Sequence, residues 1–202
     1  MDIYIAKQAI FDREMNIYAY ELLFRNNSKN IFQLEDNCDY TKQVIYNSNN
    51  IGLDILLNNK RAFINFTREN LLDNIVDLLD KKKFIIEILE DVEFDKEIVN
   101  ICKSLKKRGY IIAIDDFILE KDISKVIDYI DIIKVDFILN SKTDREKIVE
   151  KYKNLGKLLL AEKVETIEEY KEAFINGYNY FQGFLFSKPN IVEEHRENLR
   201  NK

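Results

Sequence analysis

Side chains that can bind a metal ion or move a proton recur along this sequence, inside or just after short apolar segments. They are Glu21, Asn65, Glu87, Glu90, Asp115, Asp116, Lys134, Asp136, Glu162, Glu165 and Gln182. An ionised carboxylate in an apolar segment is unfavourable unless a counter-charge neutralises it, and a divalent cation is a common counter-charge. Oxygen ligands without histidine or cysteine favour Mg²⁺ or Mn²⁺ over zinc and copper. Two adjacent aspartates, Asp115 and Asp116, could serve two ions, the arrangement that activates water for in-line attack on a phosphoryl group.

Each of these residues has a plainer explanation when it is taken alone. An acid near the end of a strand is more often a helix cap or a solvated loop residue than a ligand. Asp115 and Asp116 could form a turn, and Lys134 with Asp136 could be a surface pair. The repetition of such residues on consecutive apolar segments favours one shared site over many separate coincidences.

The residue types that the chain lacks narrow the chemistry further. The single histidine, His195, lies among charged residues, so we expect neither a histidine-based triad nor a His-rich zinc site. Cys38 and Cys102 are isolated, which predicts neither a disulfide framework nor a structural zinc. Isolated thiols without a secretory leader are typical of a cytoplasmic protein.

The charge of the chain bears on its partners. With 31 Lys and Arg against 36 Asp and Glu, the net charge is −5, which argues against a nucleic-acid polymer or an anionic membrane as partner. No apolar run has the length of a membrane span. A phosphate ligand would therefore need a local arginine or a metal cation.

Short segments rich in Ile, Val, Tyr and Phe alternate with amphipathic segments along the chain. The predicted strands are 3–10, 17–25, 61–66, 84–89, 110–115, 131–136, 157–162 and 179–184. Several are apolar on both faces, as in a parallel sheet that is covered on both sides. Apolar spacing predicts helices over 69–80 and 96–107. Capping-box spacing predicts two more helix starts, at Thr143 with Glu146 and at Thr166 with Glu169.

This alternation predicts a single α/β domain, a compact (β/α)8-type, TIM-like barrel with one antiparallel N-terminal strand. An open doubly wound sheet is the alternative. In a barrel the C-terminal strand ends surround one mouth, where the catalytic groups of this fold gather. We predict that the domain covers residues 1–189 and that residues 190–202 form a polar C-terminal tail, either a polar helix or a frayed terminus.

An ordered set of motifs in this sequence resembles the EAL family of cyclic di-GMP phosphodiesterases. The matching segments are ELLFR (21–25), INFT (64–67), IEILE (86–90), DDF (115–117), KVD (134–136), AEKVET (161–166) and QGFLFSKP (182–189). The residues in and around these motifs are most similar to the EAL half of proteins that join an EAL domain to an HDOD domain. We expect no HDOD domain on this chain after Pro189.

The resemblance implies one or two Mg²⁺ or Mn²⁺ ions as cofactors. By the match, the ligands of the first ion are Glu21, Asn65, Glu87 and Asp115. Asp116 matches the aspartate that serves the second ion.

The resemblance also implies catalytic and binding roles. Lys134 matches the lysine that holds and polarises the attacking water, and Glu162 matches a metal-site or acid–base carboxylate, so both join the ligand Glu87 as catalytic candidates. Gln182 matches a glutamine that orients the site, and we expect it to act both in catalysis and in substrate binding. Arg25 matches the arginine that contacts a substrate phosphate, and Glu90 matches a glutamate that tethers the loop after the DDF motif.

Three departures from the family pattern bear on activity. The name-giving motif reads Glu-Leu-Leu, which keeps the acid. Lys163 stands where the family has glycine, and the segment 118–124, which follows DDF, contains no glycine. The lost glycine-rich loop weakens the expected hold on a second ion and argues against the usual EAL dimer.

These departures leave two functions open. The first is metal-dependent hydrolysis of cyclic di-GMP to linear pGpG, with activity reduced by the degenerate loop. The second is a catalytically inactive EAL domain that acts as a cyclic di-GMP receptor or as a module for binding a signalling protein. An unrelated metal-dependent barrel acting on sugars or acids fits the order of motifs less well.

Overall fold

The computed structural model describes residues 3–25, 41–42, 45 and 57–194. Its strands are β1 (Ile3–Phe11), β2 (Ile17–Arg25), β3 (Arg61–Phe66), β4 (Phe84–Ile88), β5 (Ile111–Phe117), β6 (Ile132–Asp136), β7 (Leu158–Glu162), β8 (Tyr180–Phe181) and β9 (Asn190–Glu194). Its longer helical segments are α1 (Arg68–Leu72), α2 (Lys96–Arg108), α3 (Lys142–Lys153) and α4 (Ile167–Asn176). Short 3₁₀ helices cover Ile75–Leu78 and Ile127–Tyr129. Among these residues no helix is long and apolar enough to cross a lipid bilayer.

The strands close into a barrel. β1 and β2 form an antiparallel hairpin, and β2 to β8 then follow one another in parallel order. β8 returns to β1 through the antiparallel pair Phe11 and Phe181, which completes a ring of eight strands. The predicted TIM-like barrel with an antiparallel N-terminal strand is therefore confirmed, and the open sheet is excluded.

The polar segment after Pro189 was expected to be a helix or a frayed end, and for Asn190–Glu194 this prediction is wrong. These residues form β9, which pairs with β1 from Lys7–Asn190 to Ile3–Glu194. The physical reason is an open strand edge: β8 is only two residues long and covers β1 at Phe11 alone. The remaining backbone groups on that edge of β1 need partners, and β9 supplies them.

One predicted helix, over 69–80, and one predicted helix start, at Thr143, differ from the structure. The apolar pattern over 69–80 does not give one helix, because α1 ends at Leu72 and Asn74 adopts the left-handed conformation with φ 55°. At α3 the cap is Ser141, whose hydroxyl accepts a hydrogen bond from the Asp144 amide, rather than Thr143. The predictions of a helix over 96–107 and of the Thr166 capping box are confirmed.

Strand residues alternate between the barrel interior and the layer beneath the helices. The interior contains a buried apolar cluster of Ile10, Ala19, Phe63, Ile85, Ala113, Ile132 and Leu160. Outward-facing residues such as Ile112 and Ile114 belong instead to the larger core shared with the helices, which includes Cys102 and Tyr152. The interior cluster thus forms the floor beneath the mouth of the barrel.

Candidate functional site

A layer of polar side chains lies directly above this apolar floor. Two residues along the same strand share a face, so a polar residue two positions after an interior apolar residue also points into the barrel. The pairs are Ala19–Glu21, Phe63–Asn65, Ile85–Glu87, Ala113–Asp115, Ile132–Lys134, Leu160–Glu162 and Tyr180–Gln182. The strands run toward the C-terminal mouth, so the polar layer faces the end of the barrel at which active sites of this fold form.

Lys134 occupies the centre of the polar layer. Its Nζ donates hydrogen bonds to Asp115 Oδ1 at 2.7 Å and to Glu87 Oε1. The same Nζ lies 3.1 Å from Glu162 Oε2 and 3.9 Å from Glu21 Oε2. Lys134 is 1% exposed and Glu87 is fully buried, so one ammonium faces four carboxylates with very little water to screen them.

The environment of these groups raises the pKa values of Lys134, Glu87 and Glu162 and lowers that of Asp115. Burial alone would lower the pKa of Lys134, but the surrounding carboxylates outweigh burial and hold it well above its usual value. Burial raises the pKa of Glu87 well above its usual value, and Asp115 adds to this against the opposing effect of Lys134. Burial likewise raises the pKa of Glu162 despite the nearby ammonium. For Asp115 burial alone would raise the pKa, but the attraction of Lys134 and the hydrogen bonds from neighbouring groups together outweigh burial and lower it.

Several buried oxygens of the layer have no hydrogen-bond partner among the described residues. They are Asn65 Oδ1, Glu87 Oε2, Glu162 Oε1 and Gln182 Oε1. Buried oxygens without a donor are rare in proteins, because their desolvation is then uncompensated. An all-oxygen set with surplus negative charge therefore fits a hard divalent cation such as Mg²⁺ or Mn²⁺. Asn65 pairs in register with Glu87 across β3 and β4, which brings its side chain into the same layer.

Glu21 accepts a hydrogen bond from the amide side chain of Gln182, in addition to its longer 3.9 Å contact with Lys134. Gln182 Nε2 donates to Glu21 Oε2 at 2.5 Å and to Gln8 Oε1 at 3.1 Å. Gln8 Nε2 in turn donates to the Ser187 carbonyl oxygen at 2.9 Å. Sequence reasoning missed Gln8. Its signal was its position two residues before the interior Ile10, because β1 runs opposite to the other strands and reverses the order.

Asp115 and Asp116 both face the mouth because the strand is irregular at this point. The register of β5 against β6 shifts between Ile114 and Phe117, and Asp116 has a left-handed φ of 41°. The extra residue lets Asp115 contact Lys134 while Phe117 returns to the outer core. Asp116 takes a different partner from Asp115.

Lys163 is the partner of Asp116. Its Nζ lies 2.7 Å from Asp116 Oδ1 and 2.5 Å from Asp136 Oδ2. Burial alone would lower the pKa of Lys163, but the hydrogen bonds to both aspartates raise it above its usual value. Lys163, at the position where the resemblance leads us to expect glycine, therefore points into the mouth.

The two remaining predicted residues flank this arrangement. Arg25 is the last residue of β2, and its side chain lies outside the described residues. Glu90 is exposed, and its main-chain oxygen accepts a hydrogen bond from Lys121 Nζ at 2.6 Å, which connects it to the segment 118–124. That segment is held without glycine by the buried Ile123 and by a hydrogen bond from the Leu119 amide to Asn140 Oδ1.

A cavity of about 420 Å³ opens above the polar layer. Its walls include Glu21, Asp115, Lys134, Glu162, Lys163 and Gln182, together with the exposed apolar side chains Ile138 and Phe184. Apolar surface at the rim suits an aromatic group, and the acidic oxygens at the floor suit a phosphate only through a cation that they bind.

The fold and the site together define a class of protein: a TIM-like α/β barrel with a buried, oxygen-rich carboxylate site at its C-terminal mouth. The model of the EAL domain matches residues 33–189, and the chain belongs to this family. It is 39% identical over 201 residues to the protein YuxH of Bacillus subtilis strain 168, a match that covers 96% of this chain and 49% of YuxH. It is 30% identical over 195 residues to the cyclic di-GMP phosphodiesterase CdgJ of Vibrio cholerae serotype O1, covering 95% of this chain and 45% of CdgJ. The chain thus spans about half the length of these curated relatives.

Solved structures of EAL proteins share the fold. The Bacillus subtilis YkuI protein, in complex with cyclic di-GMP and calcium, superposes with a TM-score of 0.75 at 22% identity, covering 92% of this chain and 54% of YkuI. A manganese and cyclic di-GMP complex of Klebsiella pneumoniae BlrP1 superposes with a TM-score of 0.73 at 24% identity, covering 93% of this chain and 56% of BlrP1.

Proposed function

We propose that this chain hydrolyses cyclic di-GMP to linear pGpG with the help of a divalent cation bound in the polar layer. The observation that carries the proposal is the surplus of buried carboxylates around Lys134, with donor-free oxygens on Glu87 and Glu162. Membership of the EAL family, one of whose relatives is a cyclic di-GMP phosphodiesterase, supports this substrate.

The residues that would hold the cation are Glu21, Asn65, Glu87 and Asp115. When bound, Mg²⁺ or Mn²⁺ would polarise a phosphoryl oxygen and lower the pKa of a water molecule. The donor set does not by itself distinguish the two ions, because both accept carboxylate and amide oxygens.

The remaining residues act on the water and the substrate. Lys134 stays protonated, so it donates hydrogen bonds and attracts the anionic phosphodiester but does not act as a base. Glu162 has a raised pKa and an oxygen without a donor, which suits a group that accepts a proton from water. Gln182 orients Glu21 through its 2.5 Å hydrogen bond.

The proposed reaction breaks one of the two phosphodiester linkages. The water oxygen forms a new bond to phosphorus as the bond from phosphorus to the 3′ oxygen breaks. One proton of the water goes to a carboxylate of the layer, and the departing 3′ oxygen takes up a proton. The product carries a 5′ phosphate and a free 3′ hydroxyl. Arg25 is proposed to contact a substrate phosphate, since its strand ends at the same mouth.

A second candidate function is a receptor that binds cyclic di-GMP, or a partner protein, without hydrolysis. One specific observation favours it: Asp116, the residue matched to the second ion, is paired with Lys163. A site that lacks one of two cations would bind the nucleotide and turn it over slowly.

Incubation of the protein with cyclic di-GMP and Mn²⁺ or Mg²⁺, followed by chromatography for pGpG, tests the proposal. We expect product that disappears with EDTA and with Glu87→Gln, whereas Glu150→Gln, at an exposed position on α3, retains activity. Calorimetric binding without product would support the receptor. Absence of both binding and product would contradict both functions.

A further inference from the structure

Lys163 sits among three carboxylates on the outer side of the mouth. Asp116, Asp136 and Glu162 each offer an oxygen, and these three oxygens lie within 4.8 Å of one another, a spacing that could hold a metal ion. The Lys163 ammonium is already in contact with two of the three residues, at 2.7 Å from Asp116 and 2.5 Å from Asp136. The lysine therefore stands where an ion bound by these oxygens would be.

Asp136 has no oxygen to spare for an ion. Its Oδ1 accepts the backbone amides of Ile138 at 2.6 Å and Leu139 at 2.7 Å, and its Oδ2 is paired with Lys163. A cation that used Oδ2 would have to displace the ammonium. The two positive charges would otherwise lie within a few ångströms of each other, which is strongly unfavourable at this half-buried position.

The backbone at Lys163 reinforces this placement. Its φ is 56°, a left-handed conformation that glycine adopts at little cost and lysine adopts reluctantly. The conformation directs the side chain toward Asp116 instead of into solvent, although the lysine side chain is still 41% exposed. The neighbouring Glu162 faces Lys134. Lys134 thus contacts the carboxylates of the polar layer, and Lys163 contacts Asp116 and Asp136.

We propose that the Lys163 ammonium takes the place of a second divalent cation, so that this chain binds a single ion in the polar layer. Lys163 is then a tethered monovalent cation beside Asp116, in the wall of the cavity above the polar layer. The inference deepens the proposed function and depends on its cation site around Glu87.

The test counts bound Mn²⁺ at saturation, by electron paramagnetic resonance of the free ion, in the wild type and in four lysine variants. Lys163→Gly relieves the strain of the left-handed backbone and removes the charge, and Lys163→Met removes the charge but keeps a side chain of similar size. Lys163→Arg keeps the charge, and Lys171→Met is the control at an exposed position on α4. We expect one ion per chain for the wild type, the arginine variant and the control, and two for the glycine and methionine variants.

Two results would overturn the inference: two ions bound to the wild type, or one ion bound to both charge-removing variants that circular dichroism shows to be folded. Failure of hydrolysis alone would show as bound Mn²⁺ without pGpG. Failure of the proposed cation site around Glu87 looks different, because the wild type would then bind no Mn²⁺. In that case one ion in Lys163→Gly and Lys163→Met would still support exclusion by Lys163, and none in any variant would overturn both proposals.

Discussion

Lys134 and Glu162 stand on neighbouring strands, and the Lys134 ammonium lies 3.1 Å from Glu162 Oε2 with both side chains almost completely buried. Lys134 reaches Glu21, Glu87 and Asp115 from the same position. Without a metal ion, this lysine is the cation that makes the burial of those acids tolerable. The stability of the barrel and the occupancy of the site are therefore coupled.

Replacement of Lys134 by methionine tests this coupling. Breaking a buried ion pair leaves uncompensated charge, so we expect the free energy of unfolding of Lys134→Met in EDTA to fall by about 3 to 5 kcal/mol. Mn²⁺ should then raise the midpoint of thermal unfolding more in this variant than in the wild type. Lys125→Met, at an exposed lysine, is the control. Equal midpoints for Lys134→Met and the wild type in EDTA would contradict the coupling.

Gly183 is required because the chain packs closely beside Gln182. An added Cβ would lie 2.1 Å from the Val164 oxygen and 2.4 Å from its nitrogen, atoms that pair with Gln182 and Leu185. We expect Gly183→Ala to lower the free energy of unfolding by about 3 kcal/mol, from overpacking together with backbone strain. Urea denaturation measures the loss. Gly156→Ala, where φ is 71° and the space is open, should cost only about 1 to 2 kcal/mol, and an equal loss in both variants would refute the packing argument.

Asp95 caps α2 with a carboxylate. Hydrogen bonds from the Ile98 amide and from Arg68 lower the pKa of Asp95 in the folded chain. The charged carboxylate therefore stabilises the fold fully at pH values above the pKa of Asp95 in the unfolded chain. This stabilisation is lost as the pH falls through the pKa of Asp95 in the folded chain. At pH 7 we expect Asp95→Ala to lower the midpoint of thermal unfolding by about 2 to 4 °C. The difference between the unfolding midpoints of the wild type and Asp95→Ala should narrow below pH 3.8. Asp95→Asn keeps an acceptor without the charge, and its midpoint should show a smaller deficit; a gap that widens in acid would count against this account.

Cys102 is a buried thiol on α2. Burial raises its pKa from 9.0 to about 12. We therefore expect no reaction with a disulfide reagent at pH 8 in the native Cys38→Ser variant, and full reaction in urea. Since the folded pKa is the higher one, the free energy of unfolding should fall as the pH rises above 9.0 toward about 12. Rapid labelling of the native thiol would show that Cys102 is accessible.

Much of the fold could be predicted from local pattern. Apolar runs of strand length alternate with capped helices, which predicts a barrel or, as the alternative, an open doubly wound sheet, and the structure confirms the barrel. The errors fall where a local signal competes with a tertiary requirement. Asn190–Glu194 is polar enough to be a tail, but the uncovered edge of β1 recruits it as a strand.

For the candidate site too, part could be predicted from the sequence and part depends on the tertiary structure. Which acids and amides the barrel carries, and on which strand each one lies, follow from residue type and from the two-residue period of a strand, and both can be read along the chain. The partner that each charge meets depends on barrel closure, on strand direction and on the irregularity at Asp116. Closure of the barrel places Lys134 among four carboxylates, and the reversed direction of β1 brings Gln8 to the same layer. The left-handed backbone at Lys163 directs its ammonium toward Asp116 and Asp136. Such contacts join residues far apart in the chain, and electrostatic energy depends on distances in space, which the order of residues does not contain.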